Sequence, residues 1–450
     1  MNAELNLGID RVRGSERIAS LDVIRGIAIL FILYMNIQPM GGYEMVLEDF
    51  RYPSWTTADF WSVYGIQVYL SGTQRGLLEL LFGAGIMIMA RKAMELDGPV
   101  AVADLHYRRN LWLAMFGLFN AFVLMWWGDI LLVYGIAATF LFPFRRLKPW
   151  TQCGFAAVFI GALVAYAAVQ HHDKAVRFET VARVTAQQAA HQKVSPQDKK
   201  TFDKFQQRVR SLSVLPQNDK EKAKKIADAD KAHHSTFGAY WNSQVDNWKF
   251  LMSLFWIIEA EILGTMLIGM AFCQWGIIQG RARRSLYWAL MLGGYGVGLA
   301  LRGTAWWSIL QFQPVLRWQD ITPDIDRIAV TFGHLGLIHL ALGSALGRRL
   351  LKPFEAAGRM PLTVYLGTSF IMMWIVFAPW GLGLWGHFNQ VQYLIVGTSV
   401  IIAEVIAANL WMRYHDNGPM EWVWKSLAYL RREPFRKKRG QIPDAVPSPI

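Results

Sequence analysis

Apolar runs of 17 to 25 residues recur along this chain, each long enough to cross a hydrocarbon core of about 30 Å. They predict ten membrane-spanning helices, at roughly 20–40, 68–90, 109–127, 129–146, 150–169, 250–274, 285–302, 328–347, 361–379 and 393–412. The stretch 55–67, with Trp55, Phe60, Trp61 and Tyr64, reads as an interfacial segment leading into the second span. Trp126, Trp127 and Gly128 make a very tight turn between the third and fourth. The polar residues divide the chain into N-terminal membrane helices (1–169), an external polar insertion (170–248), C-terminal membrane helices (249–412) and a basic tail (413–450). The expected fold class is all-α: a polytopic membrane helical bundle of about ten spans with a helical external insertion.

Charge adds the orientation. Lys and Arg concentrate in one alternating set of short connections: Arg91, Lys92, Arg108 and Arg109; Arg145, Arg146 and Lys148; Arg281, Arg283 and Arg284; Arg348, Arg349, Lys352 and Arg359. The other set holds only Arg51, Arg317 and Arg327. The positive-inside rule puts the basic set, and with it both termini, in the cytoplasm. The formal charge of +13 is therefore accounted for by orientation in the lipid bilayer rather than by nucleic acid. Tail residues Arg431, Arg432, Arg436, Lys437, Lys438 and Arg439 suit anionic lipid. The insertion then lies outside, as two or three amphipathic helices forming either a cap over the outer face or a flexible arm. Cys153 and Cys273 both fall within apolar runs, so neither a disulfide framework nor a zinc site is indicated.

The candidate chemistry lies in polar residues inside the spans, where a charge is costly without a partner or a wet cavity. Asp22 and Arg25 share a face at the mouth of the first span, and Asn36, fourteen residues after Asp22, returns close to that face. Toward the outer side lie Arg75, Glu79, Asp129, Glu259, Glu261, Arg302 and His334, outlining an outward-facing pocket. Each has a plainer reading. Arg75 and Glu79 at i, i+4 can neutralise each other. Asp129 can be a helix N-cap. Glu259 and Glu261 are about 200° apart, so at most one faces a common cavity. His334 and His339 are about 140° apart, which disfavours a two-His metal pair on one face and leaves each a core residue or a general base. Glu404 stands alone in the tenth span. On the cytoplasmic side, Gly358 to Tyr365 opens the ninth span, and Arg359 with Arg25 and Arg91 could form a basic mouth for a phosphate-bearing ligand, with ordinary anchoring as the plainer reading.

Six stretches resemble the YeiB-like membrane proteins, a family known as a domain of unknown function. They are Leu21 to Asn36; Leu80-Leu81-Phe82-Gly83-Ala84-Gly85; Phe116 to Tyr134; Gly264 to Met270; Gly358 to Tyr365; and Gly418 to Trp424. Residues 170–235 lie outside the resemblance. That family is grouped with the transmembrane acyltransferases, including heparan-alpha-glucosaminide N-acetyltransferase. The resemblance implies acyl-CoA as a cytoplasmic donor rather than a resident cofactor, and an external acceptor such as an envelope glycan. It implies the cytoplasmic membrane of a bacterium as location. Asn36 stands where the type-three sugar acyltransferases of the group have a His, residues 41–60 contain no His, and Asn120 and Val364 replace a His and an Asn common in YeiB-like chains. The base must then come from His334, His339, Glu259 or Asp129. Arg75, Glu79 and Arg302 would line the acceptor pocket, and Asp22, Arg25, Asn36, Asn120, Arg359, Thr363 and Tyr365 would hold the donor. A transporter for a small polar or anionic solute and a non-catalytic scaffold are the alternatives, and a homo-oligomer remains open.

Overall fold

A computed structural model describes residues 19–42, 51, 55–90, 101–215 and 218–436. Arg91, Lys92 and the tail residues Lys437, Lys438 and Arg439 lie outside the described residues. Apart from one isolated bridge between His415 and Arg436, the described chain is helical. Five helices are long and apolar enough to cross a membrane: α1 (Ala19–Gly41), α6 (Pro149–Ala189), α10 (Phe255–Gln274), α12 (Pro323–Leu342) and α15 (Gln390–Tyr414). A sixth comes from α13 (Ala345–Arg359) and α14 (Pro361–Phe370, continued by a π-turn segment Ile371–Val376), bent by 80° at their junction. The other apolar runs form α3 (Thr73–Ala90), α4 (Ala101–Phe122), α5 (Leu131–Leu141) and α11 (Arg284–Ile309). The interfacial stretch forms α2 (Thr57–Gly65), with a Thr56/Asp59 capping box.

The bundle is built around α1, which packs against α3, α13, α14 and α15. Nearly everything from Leu21 to Gly41 is buried, Asp22, Asn36 and Gln38 included. Two glycines fix how α13 meets it. A Cβ on Gly26 would run into the Phe354 carbonyl, and one on Gly358 into that of Asp22, so the two backbones touch where a side chain would hold them apart. Gly83 and Gly269 do the same for α3 and α10, against the carbonyls of Met266 and Leu80.

The polar insertion is a docked cap rather than a loose arm. The expected boundary at 169/170 falls inside one helix: α6 has 41 residues, about 60 Å, twice a bilayer's apolar thickness. Its far half packs against α7 (Pro196–Ser213). α8 (Lys220–His233) and α9 (Phe237–Ser253) then return to the bundle. Trp241 Nε1 donates to Phe122 O (3.0 Å), and Tyr240, fully buried, donates to Met373 O (3.4 Å). His233 stacks on Trp385 with 3.7 Å between ring centroids and 5° between planes. Its burial holds the imidazole down at about 4. α16 (Pro419–Tyr429) closes the opposite end, with Trp424 Nε1 donating to Arg109 O at 2.8 Å.

Candidate functional site

Three polar clusters emerge from the residues singled out in the sequence. The first is a charge network where α3, α10 and α12 meet. Arg75 pairs with Glu79 (3.4 Å) and with Glu261. Arg327 pairs with Glu79 (3.1 Å) and Glu261 (2.7 Å) and donates to Thr265 Oγ1 (3.0 Å). Two cations meet two anions, and Tyr134 closes the group by donating to Arg75 O (3.1 Å). Next to it, Arg302 pairs with Asp326 (3.4 Å) and donates to Ser71 O (2.6 Å). His334 has both ring nitrogens engaged, Nδ1 with Tyr295 Oη (2.8 Å) and Nε2 with Tyr69 O (2.7 Å). These residues bind each other, and they pin α3, α5, α10, α11 and α12 together.

Arg327 and Asp326 were missed as partners because the eighth span was expected to start at 328. Thr322-Pro323-Asp324 was the available signal: Pro at the first helical position with acidic residues in the first turn marks a helix start. Of the two glutamates, Glu261 joins the network. Glu259 is buried with no hydrogen-bond partner for either oxygen. His339 stacks on Tyr287 (4.7 Å) toward the other end of α12, away from His334.

The second cluster lies at the α13–α14 bend. Arg25 pairs with Asp22 (3.1 Å) and donates to Gly358 O (3.2 Å), and Gly26 makes the close contact described above. The Asp22-x-x-Arg25-Gly26 motif therefore fastens α1 to the bend. Glu421 on α16 caps α14 from outside the chain of that helix. It accepts from Leu362 N (2.6 Å), Thr363 N (3.1 Å) and the Thr363 hydroxyl (2.5 Å), while Met420 N donates back to Thr363 Oγ1 (3.0 Å). Burial raises the Glu421 carboxyl and these hydrogen bonds act against it. Thr363, expected to hold a donor molecule, is occupied by this cap. Arg359 sits partly exposed at the end of α13.

The third cluster is in the core. Asn36 on α1 faces Tyr365, Thr368 and Ser369 on α14 across a cavity of about 10 Å³, closed by Ile32, Leu33 and Met40. Asp129 accepts from Asn120 Nδ2 (2.8 Å) and from Leu132 N (2.9 Å), so it does cap α5. The Tyr365 hydroxyl accepts from Ile130 N (3.2 Å), the backbone next to Asp129. The short α5 draws the Trp126–Asp129 turn into the bundle, where Trp126 and Asp129 are buried. The cap's α9 touches the end of α4, ahead of this turn, where Trp241 meets Phe122. Four residues from distant parts of the sequence, Asn36, Asn120, Asp129 and Tyr365, thus meet under the cap. Glu404 on α15 lies behind Thr368, 2.5 Å from its hydroxyl.

These features define a membrane protein: a helical bundle around a buried polar core, capped on one end by a helical insertion. The chain is similar to the YeiB-like proteins and, over its C-terminal part, to the DUF418 family. The family profile described as "Protein of unknown function (DUF418)" matches residues 272–431, which include the α13–α14 bend, Glu404 and Glu421. The chain is 27% identical over 432 residues to the uncharacterized protein YxaH of Bacillus subtilis (strain 168), covering 94% of this chain and 97% of that one. It is 24% identical over 439 residues to the uncharacterized protein YeiB of Escherichia coli (strain K12), covering 95% and 100%. A 39.9 kDa protein of Bacillus acidopullulyticus is 30% identical over 106 residues, 24% of this chain and 30% of that one. No solved structure matches.

Proposed function

We propose that the chain is a ten-span protein of the bacterial cytoplasmic membrane, with both termini inside and the cap outside, that moves an acyl group from cytoplasmic acyl-CoA to an external acceptor. The observation that carries this reading is the meeting of Asn36, Tyr365, Asp129 and Asn120 in a membrane-embedded core, between a basic end and a capped end. The Asn36 amide and Tyr365 hydroxyl would donate to the oxyanion as an acceptor hydroxyl or amine attacks the thioester carbonyl. Asp129, oriented by Asn120, would take the acceptor's proton and return it to the departing thiolate, so that CoA leaves as the thiol and Asp129 is ionised again. Arg25 lies eleven residues before Asn36, about 16 Å along α1, and with Arg359 would face the CoA phosphates. The charges expected to line an acceptor pocket (Arg75, Glu79 and Arg302) are tied up in pairs, which also weakens the transporter reading that would use them as a pathway.

Calorimetry with acetyl-CoA and longer acyl-CoA on detergent-purified protein tests this. Saturable binding that weakens at least several-fold in Arg359→Ala is expected. Asn36→Leu should leave CoA binding near wild type and abolish thioester turnover in membranes. A folded sample that binds no acyl-CoA of any chain length overturns the reading.

A further inference from the structure

The Thr368 hydroxyl is within hydrogen-bond distance of two acceptors, Val364 O at 2.9 Å and Glu404 Oε1 at 2.5 Å. One hydroxyl carries one hydrogen. Both contacts are satisfied together if Thr368 donates to Val364 and Glu404 itself supplies the second hydrogen, as a carboxylic acid donating to Thr368 Oγ1. The surroundings agree with a neutral carboxyl. Glu404 lies on the buried stripe of α15 with Tyr393, Gly397, Ile401 and Ala408, forms no ion pair among the described residues, and its Oε2 has no hydrogen-bond partner. An ionised carboxylate held inside a membrane by one hydroxyl would cost several kcal/mol.

Thr368 also lines the cavity beside Asn36, Tyr365 and Ser369. At about 10 Å³ this void is near the lower limit for one water molecule, and its lining supplies the two to four polar partners such a water needs. The Asn36 side chain is nine-tenths buried, lines the void and has no hydrogen-bond partner among the described residues, so a polar occupant would satisfy it. Beyond the void, the Tyr365 hydroxyl accepts from Ile130 N (3.2 Å), which follows Asp129 in the chain. Immediately after Ser369 the helix widens into the π-turn Ile371–Val376, a feature that often accompanies function.

We infer that Glu404 is a proton-holding carboxylic acid connected to Asp129, through Thr368, one water in the cavity and Tyr365, by a proton path that crosses α15, α14 and α5. In the transfer, the Thr368 hydroxyl turns from Val364 O to the water; Glu404 gives its proton to Thr368, Thr368 gives its own to the water, the water gives one to Tyr365, and Tyr365 gives one to Asp129. Each O–H bond broken is replaced by one on the next oxygen. Glu404 ends ionised, Asp129 ends protonated, and the net charge is unchanged. The path is argued from the cavity and its lining, and stands whether or not the core transfers acyl groups.

Infrared difference spectroscopy of the full-length protein in lipid tests it without any acyl-CoA. Wild type minus Glu404→Gln should show a carboxylic-acid C=O band belonging to Glu404. That band should shift within minutes of transfer into D2O, because the cavity water exchanges the acid proton. Thr368→Val should move the band to higher frequency and slow its D2O shift at least tenfold. Glu404→Gln keeps the shape of the side chain, and its thermal unfolding serves as the folding control. Spectra with no acid band lost in Glu404→Gln overturn the proton-holding role. A band that ignores both D2O and Thr368→Val overturns the path.

Discussion

Arg327 illustrates how much a single buried charge decides in this molecule. It holds Glu79 and Glu261 at once, and its removal leaves two buried carboxylates facing Arg75 alone. Arg327→Ala is expected to cost about 3–5 kcal/mol, the usual penalty for breaking a buried pair from one side. Thermal unfolding in detergent measures it. Combining Arg327→Met with Glu79→Gln should cost clearly less than the two single changes added, since the groups share one network; simple additivity would contradict the pairing. Gly358→Ala is a separate test of the bend. Its Cβ meets backbone rather than a movable side chain, so a loss of at least about 2 kcal/mol is expected. A variant of wild-type stability would mean that α13 can leave α1 freely.

At the scale of elements, the junction between cap and bundle depends on an uncharged imidazole. His233 Nδ1 bonds Ala229 O (2.8 Å), and Nε2 faces the Gln244 amide nitrogen (3.1 Å), which donates to it only while Nε2 is unprotonated. The titratable neighbours are Asp230, beside His234, and His387 beyond. Burial lowers His233 from the ordinary value near 6.5 to about 4 in the folded protein. Between those values the unfolded or undocked state binds more protons, so docking is fully supported above about 6.5 and weakens as pH falls toward 4. Protection of residues 220–253 against amide hydrogen exchange, relative to the intrinsic rate at each pH, should fall between pH 7 and pH 5, and His233→Asn should flatten that dependence. An equal loss of protection in both proteins would place the sensitivity elsewhere. The helices themselves were legible at this scale because apolar run length reports on spans directly. The cap's docking was not, because its anchors (Tyr240, Trp241, His233) are single residues scattered through a polar segment.

At the scale of the whole molecule, the proposed topology makes opposite predictions for the two polar ends. With Cys153 and Cys273 changed to Ala, Lys200→Cys in the cap should react with a membrane-impermeant maleimide in intact cells, and Arg431→Cys should react only after lysis. The reverse pattern would invert the orientation, and labelling of both in intact cells would put the two on one side.

The sequence by itself determined the class of protein, the helical content and the family likeness, because run length, basic connections and short glycine-bearing motifs are local features. It also marked the residues worth watching: Asp22, Arg25, Asn36, Asp129 and Tyr365 all proved to sit at contacts between helices. Tertiary structure decided what each one touches. Arg25 fastens a bend 333 residues away, Glu421 caps a helix 59 residues upstream, and Glu261 rather than Glu259 enters the charge network. Helical spacing gives the direction of a side chain from its own axis. It carries no information on which helix stands opposite, and in a bundle that choice is made by backbone approach at positions such as Gly26 and Gly358.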